Sequence, residues 1–170
     1  MPKFLLNGVE LKSVNRQKYL GVYITDDFTD DADIERQRKS MYCIGNMIIR
    51  RFKFCSSDVK ITLFKTYCSN LYGSQLWSSY LKSSCHKLKV AYNNICRDFM
   101  KLDRRDSIST FMVTNHVKTL PEIIRNYMFG FYTRLSVSDN LIVSTIFNSL
   151  FFMSGKLFQE WKDKLFSLGD

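Results

Sequence analysis

Residues 31–53 read DADIERQRKSMYCIGNMIIRRFK, and this segment indicates the fold class. At about 100° per residue, its apolar side chains fall within about 80° of one another. That apolar set is Ile34, Met41, Ile44, Ile48 and Phe52. A polar and basic row lies within about 100° on the opposite side. It consists of Arg36, Lys39, Asn46, Arg50 and Lys53. The pattern predicts a long amphipathic helix with one packed side and one cationic side.

Periodicity and helix-start residues predict further helices over most of the chain. We expect them at about residues 57–81, 85–101, 107–114, 119–136, 139–151 and 155–167. The 85–101 helix repeats the two-sided pattern of the first. Its apolar stripe is Leu88, Ala91, Ile95 and Phe99, and the residues facing away are His86, Lys89, Asn93, Arg97 and Lys101. Each basic row is either a phosphate-binding surface or the solvated side of an amphipathic helix.

The first 25 residues show β-strand patterns instead. Asn7-Gly8 lies between two apolar runs, Phe4–Leu6 and Val9–Lys12. Because Asn-Gly accepts the positive φ angles of a type I′ turn, this segment predicts a hairpin. Tyr19–Ile24 is predicted as a third short strand, and six acids between Asp26 and Glu35 mark a turn and a helix start. The predicted fold is therefore mainly α, with a small N-terminal antiparallel β-hairpin module and a helical bundle after it.

Composition and length place the chain among globular proteins of one domain, or of one domain and part of a second. It has 170 residues, of which 45% are hydrophobic, and it carries 25 Lys and Arg against 16 Asp and Glu, a net charge of +9. Residues 36–170 hold 21 of those bases and nine of the acids. No secretory signal is visible near the N-terminus, and no apolar run has the roughly 18 residues of a membrane span. We expect an intracellular protein, cytoplasmic or nuclear, with no membrane partner.

Most enzyme and metal chemistries lack their motifs here. The five cysteines have none of the two- to four-residue spacings of a zinc knuckle, so we expect them to be reduced and buried. All seven glycines are isolated, which excludes a Gly-rich phosphate loop. Cys85 and His86 are helical neighbours and point about 100° apart, so they do not form a nucleophilic pair. Six aromatics either stack on bases or belong to the core: Tyr67, Tyr72, Trp77, Tyr80, Tyr92 and Tyr127.

Several blocks of sequence, in order, carry a family resemblance. They are Lys18–Ile24 (KYLGVYI), Lys60–Cys68 (KITLFKTYC) with Leu71-Tyr72-Gly73 and Leu76-Trp77, Ala91–Arg97 (AYNNICR), Arg104–Ser107 (RRDS), and Arg134-Leu135 with Ser138 and Asn140. In order and spacing they resemble the C-terminal region of reverse transcriptases from non-LTR retrotransposons, the LINE-like or jockey-like RNA-directed DNA polymerases. The resemblance covers roughly residues 4–145.

This resemblance implies a role in holding nucleic acid. Tyr19, Leu20 and Gly21 match the primer grip, so residues 1–25 correspond to the end of a palm. Residues 26–170 correspond to a helical thumb and its C-terminal extension. The implied partner is an RNA/DNA template-primer. The residues expected to contact it are Tyr19, Leu20, Gly21, Arg36, Lys39, Arg50, Lys53, Lys89, Arg97, Lys101, Arg104 and Arg105.

The catalytic part of such a polymerase has no counterpart in the sequence. A palm holds two Mg²⁺ ions with three carboxylates, two of them in an aromatic-x-Asp-Asp turn. Ile24-Thr25-Asp26-Asp27 lacks the aromatic residue, follows the primer-grip block and has no upstream aspartate partner, so we interpret it as a solvated turn. We therefore expect no catalytic residue, no metal and no cofactor on this chain, and no enzyme activity by itself. The palm and fingers of the polymerase would be its protein partners.

Two other interpretations remain open at the level of sequence. The chain is alternatively a stand-alone helical interaction module derived from a mobile element, binding a protein through the exposed face of Tyr19–Ile24. It is otherwise a decayed fragment without a function. Salt dependence separates nucleic-acid binding from an apolar contact, because only the former weakens steeply with salt.

Overall fold

The computed structural model describes residues 4–166, which form four short strands, eight α-helices and one 3₁₀ turn. The strands are β1 (Leu5–Leu6), β2 (Val9–Glu10), β3 (Arg16–Tyr19) and β4 (Val22–Thr25). The helices are α1 (Asp31–Arg51), α2 (Ser57–Tyr67), α3 (Lys82–Met100), α4 (Ile108–Thr114), α5 (Leu120–Ser136), α6 (Leu141–Phe147), α7 (Leu150–Ser154) and α8 (Lys156–Phe166), and the 3₁₀ turn spans Ser74–Leu76. The predicted class, mainly α with a small N-terminal hairpin module, is confirmed.

Helices α1 and α3 pack against each other through the two predicted apolar stripes. Ile34, Met41 and Ile48 of α1 are buried, and Ile44 and Phe52 pack against the same core. All four stripe residues of α3 are buried: Leu88, Ala91, Ile95 and Phe99. A Cβ atom on Gly45 would lie 2.7 Å from Cγ2 of Ile95, so glycine is what permits the two helices to approach this closely. Both predicted stripes are confirmed.

The N-terminal region contains two hairpins rather than a hairpin and a strand. Asn7 and Gly8 have φ angles of 51° and 81° between β1 and β2, as the Asn-Gly signal predicts. Strands β3 and β4 pair Tyr19 with Val22, which leaves Leu20 and Gly21 as a second two-residue turn. The prediction of one strand over Tyr19–Ile24 is therefore wrong, because positive φ at both turn residues reverses the chain.

The predicted helix over 57–81 is wrong in its second half. Helix α2 ends at Tyr67, and the chain then makes an irregular connection with the 3₁₀ turn at its centre. Gly73 has φ of 93°, which is incompatible with a continuing right-handed helix. Farther along, the backbone N–H groups of Ser78, Ser79 and Leu81 donate to aspartate side chains instead of to helical carbonyls.

The predicted helix over 139–151 is also wrong, since it divides into α6 and α7. The Ser149 hydroxyl accepts a hydrogen bond from the Phe152 N–H and begins a new helix there. The other predicted helices are observed with small shifts at their ends, α3 beginning three residues early and α1 ending at Arg51. Residue 167, the predicted end of the last helix, lies outside the described residues.

The C-terminal helices fold back onto the middle of the chain. Trp161 of α8 is fully buried, and its Nε1 donates to the carbonyl of Gln75 at 2.9 Å. Phe131, Tyr132 and Phe152 meet its ring in edge-on contacts. Within residues 4–166, no helix combines the length and the apolar character needed to cross a lipid bilayer.

Candidate nucleic-acid interface

The β3–β4 turn presents two of the three predicted primer-grip residues at the surface, whereas Gly21 is half-buried. Tyr19 is 63% exposed and Leu20 is 73% exposed. Tyr72 supports the turn from beneath, since its hydroxyl donates to the Leu20 carbonyl at 3.1 Å. The same ring lies under Gly21, where a Cβ atom would come within 3.2 Å of it. The turn is thus packed against Tyr72 on one side and exposes the side chains of Tyr19 and Leu20 on the other.

Asp33 anchors β4 and the connection after α2 to the start of α1. Its side chain is fully buried and accepts three hydrogen bonds. Oδ1 accepts from the Tyr23 N–H at 3.1 Å and from Arg36 Nε at 2.6 Å. Oδ2 accepts from the indole Nε1 of Trp77 at 3.0 Å. The Asp33 carboxylate therefore helps to position the β3–β4 turn, which carries Tyr19 and Leu20. The sequence indicates Asp33 only as one of several acids at a helix start.

Arg36 belongs to this internal network rather than to an open cationic surface. Besides its bond to Asp33, its Nη2 donates to the Tyr72 carbonyl at 3.3 Å, and Gln37 donates to the same oxygen. To bind a phosphate through these same N–H groups, Arg36 would have to break its hydrogen bonds to Asp33 and to the Tyr72 carbonyl. The signal was present in the sequence, because Asp33 and Arg36 are three residues apart on a helix.

The remaining bases of the α1 row are exposed. Lys39 lies 3.9 Å from a Glu35 carboxylate oxygen, and Glu35 makes its closer bonds to Arg38. The hydrogen bond from Arg38 lowers the pKa of Glu35, so this carboxylate is charged at neutral pH. Arg50 is exposed near the end of α1. Lys53 lies beyond that end, with its Nζ 5.6 Å from the ring centre of the exposed Phe54.

The α3 row is divided between structural and exposed bases. Arg97 donates from Nη1 to the Asp103 carbonyl at 3.0 Å and from Nη2 to the Asp106 carbonyl at 2.9 Å. Its guanidinium therefore holds the loop between α3 and α4. That loop presents Lys101, Arg104 and Arg105, all of which are exposed. Lys89 is exposed as well, but it lines a cavity beside α5.

The candidate stacking aromatics differ in their surroundings. Trp77 and Tyr92 are buried in the core, and the Tyr92 hydroxyl donates to the Lys118 carbonyl at 2.8 Å. Tyr67, at the end of α2, and Tyr72 are both about half exposed. The ring of Tyr72 packs against the β3–β4 turn. Tyr80 and Tyr127 are half-buried and pack against the core. For Trp77 and Tyr92 the core interpretation is correct.

The cysteines are only partly as predicted. Cys68 and Cys96 are buried, and burial raises the pKa of each thiol to about 12, so both remain protonated at neutral pH. Cys55 and Cys85 are half-buried. The prediction is wrong for Cys43, which is exposed because it lies on the basic side of α1. Among residues 4–166, no group of three or more His, Cys, Asp or Glu side chains is placed to hold a metal ion.

Comparison with models of protein families, with curated proteins and with solved structures gives no match to this chain. The likeness to non-LTR reverse transcriptases thus rests on the sequence blocks alone. The sequence reasoning also overlooked Lys82 and Arg125, two exposed bases beside Lys89. Lys82 lies before the predicted start of this helix at residue 85. With the observed start at Lys82, the intervals of four and three residues place Lys82, His86 and Lys89 on one side of α3.

Proposed function

We propose that this chain is a non-catalytic nucleic-acid-gripping unit of a mobile-element RNA-directed DNA polymerase, acting on an RNA/DNA template-primer in the cytoplasm or nucleus. The observation that carries the proposal is the set of exposed bases on and beside α1 and α3. They are Lys39, Arg50, Lys53, Lys89, Lys101, Arg104 and Arg105. Within residues 4–166, none of them has a carboxylate closer than the 3.9 Å contact of Lys39.

The β3–β4 turn supports the same proposal. A two-residue turn bonded to Tyr72 and followed by a strand bonded to Asp33 leaves Tyr19 and Leu20 exposed. The exposed aromatic ring of Tyr19 suits contact with a nucleic-acid end, since every base offers a face for stacking. The sequence block containing this turn is also the one that resembles the primer grip.

Salt dependence of binding tests the proposal. A phosphate contact releases condensed counterions, so the slope of log affinity against log salt reports the number of contacts. Arg36 has internal partners, so the α1 variant is Lys39→Gln/Arg50→Gln/Lys53→Gln. We expect it to flatten the slope for an RNA/DNA hybrid by about 2 to 3 between roughly 50 and 200 mM salt.

The matched control removes three charges elsewhere. Lys118, Lys156 and Lys162 are exposed and lie outside the proposed contacts. The triple Gln variant at these positions has the same net charge as the α1 variant. We expect it to retain most of the parental slope. Equal slopes for the two variants would show that binding follows net charge alone and would contradict a defined interface.

The non-catalytic part of the proposal has its own test. Asp27 Oδ1 accepts from the Thr29 N–H and from the Thr29 hydroxyl, each near 3 Å, as expected of a side chain that stabilises a turn. With an RNA template, a DNA primer and Mg²⁺ or Mn²⁺, the purified chain should incorporate no labelled nucleotide above a mock preparation. Incorporation would overturn the interpretation of Asp26 and Asp27.

A second candidate function is protein binding through the N-terminal hairpins. Phe4, Leu5, Leu6 and Val9 are exposed around the first turn, and Leu20 and Ile24 around the second. Such a concentration of exposed apolar side chains is typical of an interaction surface. Binding through it would change little with salt, which distinguishes it from phosphate contacts.

A further inference from the structure

A cavity of about 330 Å³ lies between the N-terminal halves of α3 and α5. The walls on the α5 side are Leu120, Pro121 and Ile124, and Cys85 faces them from α3. Leu120 and Ile124 are buried side chains, so the floor of the cavity is apolar. Its volume falls within the range of small-molecule sites, roughly 300 to 1,000 Å³.

Exposed bases surround this apolar floor. Lys82 and Lys89 of α3 and Arg125 of α5 line the cavity together with His86. No acidic side chain of residues 4–166 forms an ion pair with Lys82, Lys89 or Arg125. Helices α3 and α5 also begin here, and the positive ends of their dipoles add to the potential. The rim is therefore cationic and without a charge partner inside the described chain.

The remaining basic residue at the cavity has a structural role. Lys164 Nζ lies 2.6 Å from a Glu160 carboxylate oxygen and donates to the Tyr80 hydroxyl. Tyr80 in turn donates to Glu160 at 2.9 Å. These three side chains form a closed, charge-balanced wall. Unlike Lys82, Lys89 and Arg125, Lys164 is already neutralised by its neighbour.

We propose that this cavity binds a small amphipathic anion, with its aryl or alkyl group against Leu120 and Ile124 and its carboxylate or phosphate among Lys82, Lys89 and Arg125. The apolar floor decides the chemical class. A nucleobase would bury ring nitrogens and exocyclic groups against walls that offer them few hydrogen-bond partners, which is costly. An aryl or alkyl group has no polar atoms to leave unpaired there. The basic side chains at the rim select ligands that carry a carboxylate or phosphate.

Calorimetric titration with 1-naphthyl phosphate tests the site, with 1-naphthol, inorganic phosphate and adenosine monophosphate as the comparison probes. We expect 1-naphthyl phosphate to bind at least about tenfold more tightly than each of the other three, because only it satisfies both the floor and the rim. Equal or tighter binding of adenosine monophosphate would overturn the apolar assignment. No measurable binding of 1-naphthyl phosphate at millimolar concentration would overturn the site.

Variants at the rim keep this test separate from the proposed nucleic-acid function. Lys82→Gln/Arg125→Gln changes two exposed cavity residues that are not among the proposed phosphate contacts on nucleic acid, and it should weaken 1-naphthyl phosphate by about tenfold or more. Arg104→Gln/Arg105→Gln is the matched control and should leave this affinity unchanged. The reverse pattern would overturn the proposal, whatever the two variants do to hybrid binding.

Alkylation of cysteine gives a second readout in the unaltered protein. Cys85 lines the cavity, whereas Cys43 is exposed elsewhere on α1. Bound 1-naphthyl phosphate should slow the reaction of Cys85 with iodoacetamide severalfold and leave Cys43 unchanged, as measured by mass spectrometry. Equal rates at Cys85 with and without a saturating probe would place the probe elsewhere and overturn the assignment.

Discussion

The indole Nε1 of Trp77 donates a 3.0 Å hydrogen bond to Oδ2 of Asp33, and both side chains are fully buried. This bond joins the first turn of α1 to a residue 44 positions later in the chain. Asp33 Oδ1 is occupied as well, by the Tyr23 N–H and by Arg36. The three donors are therefore all satisfied only if both carboxylate oxygens are acceptors.

Asp33→Asn should be strongly destabilising although it preserves shape. An amide has only one acceptor oxygen, so its NH₂ group would face either Trp77 or the pair formed by Tyr23 and Arg36. Either the buried Trp77 N–H or the Tyr23 N–H and Arg36 Nε would then face a donor instead of an acceptor, which costs about 3 kcal/mol of unfolding free energy. Urea denaturation measures this cost. Asp26→Asn, at an exposed position, is the control, and an equal midpoint for the two variants would contradict the network.

Asp30 should tolerate the same substitution. Its Oδ2 alone accepts from the Ser78 and Ser79 N–H groups, at 2.7 and 2.8 Å, and one amide oxygen can accept both. Asp30→Asn should therefore retain most of the stability, whereas Asp30→Ala should lose about 1 to 3 kcal/mol with both bonds. Similar losses in the two variants would show that the charge, not the acceptor, is required.

The pH dependence of the Asp30→Asn effect has a definite sign. Burial raises the pKa of Asp30 above its ordinary value of 3.8. The Asp30 carboxyl group thus loses its proton at a lower pH in the unfolded state than in the folded state. As pH rises from the unfolded-state pKa to the folded-state pKa, the contribution of Asp30 to the free energy of unfolding decreases. Asn has no such loss. The stability of Asp30→Asn relative to the parent should increase from about pH 3 to pH 7, and a relative decrease would contradict the raised pKa.

Substitutions at the two residues of the β3–β4 turn should change stability in opposite directions. Gly21 has φ of 85° and lies against the Tyr72 ring, so Gly21→Ala should cost about 1 to 2 kcal/mol through strain. Leu20 has φ of 45°, which Asn adopts more readily than Leu. Leu20→Asn should raise stability by about 0.5 kcal/mol. Thermal unfolding of both variants tests the turn, and a destabilised Leu20→Asn would contradict it.

Local sequence patterns were sufficient for the elements that local forces stabilise. The stripes of α1 and α3 follow from side-chain period, and the first turn follows from Asn7-Gly8. Leu20-Gly21 carries a weaker signal, because Leu is an unusual first residue of a type I′ turn. The run Tyr19–Ile24 therefore looked like one strand, although it contains a turn.

Partners distant in sequence explain the other errors. Nothing in the sequence near residues 77–81 shows that the indole of Trp77 and the N–H groups of Ser78, Ser79 and Leu81 donate to the side chains of Asp30, Asp31 and Asp33. The helix predicted from local periodicity therefore extends too far. The acceptors of Arg97 are backbone carbonyls, which no sequence pattern displays. Exposed bases such as Lys39 and Arg50 were placed correctly because helical period alone decides which side they occupy.

Removing the charge of Arg97 and removing the charges of Arg104 and Arg105 should have different effects on stability and on hybrid binding. Arg97→Gln removes the fork that binds the Asp103 and Asp106 carbonyls, so it should cost about 1 kcal/mol of stability. Arg104→Gln/Arg105→Gln removes two exposed bases and should change stability by less than about 0.5 kcal/mol. The double variant should flatten the salt slope for an RNA/DNA hybrid by about 2. Urea denaturation and hybrid titration on the same samples separate the two roles, and a slope change without a stability change in Arg97→Gln would make Arg97 a direct phosphate contact instead.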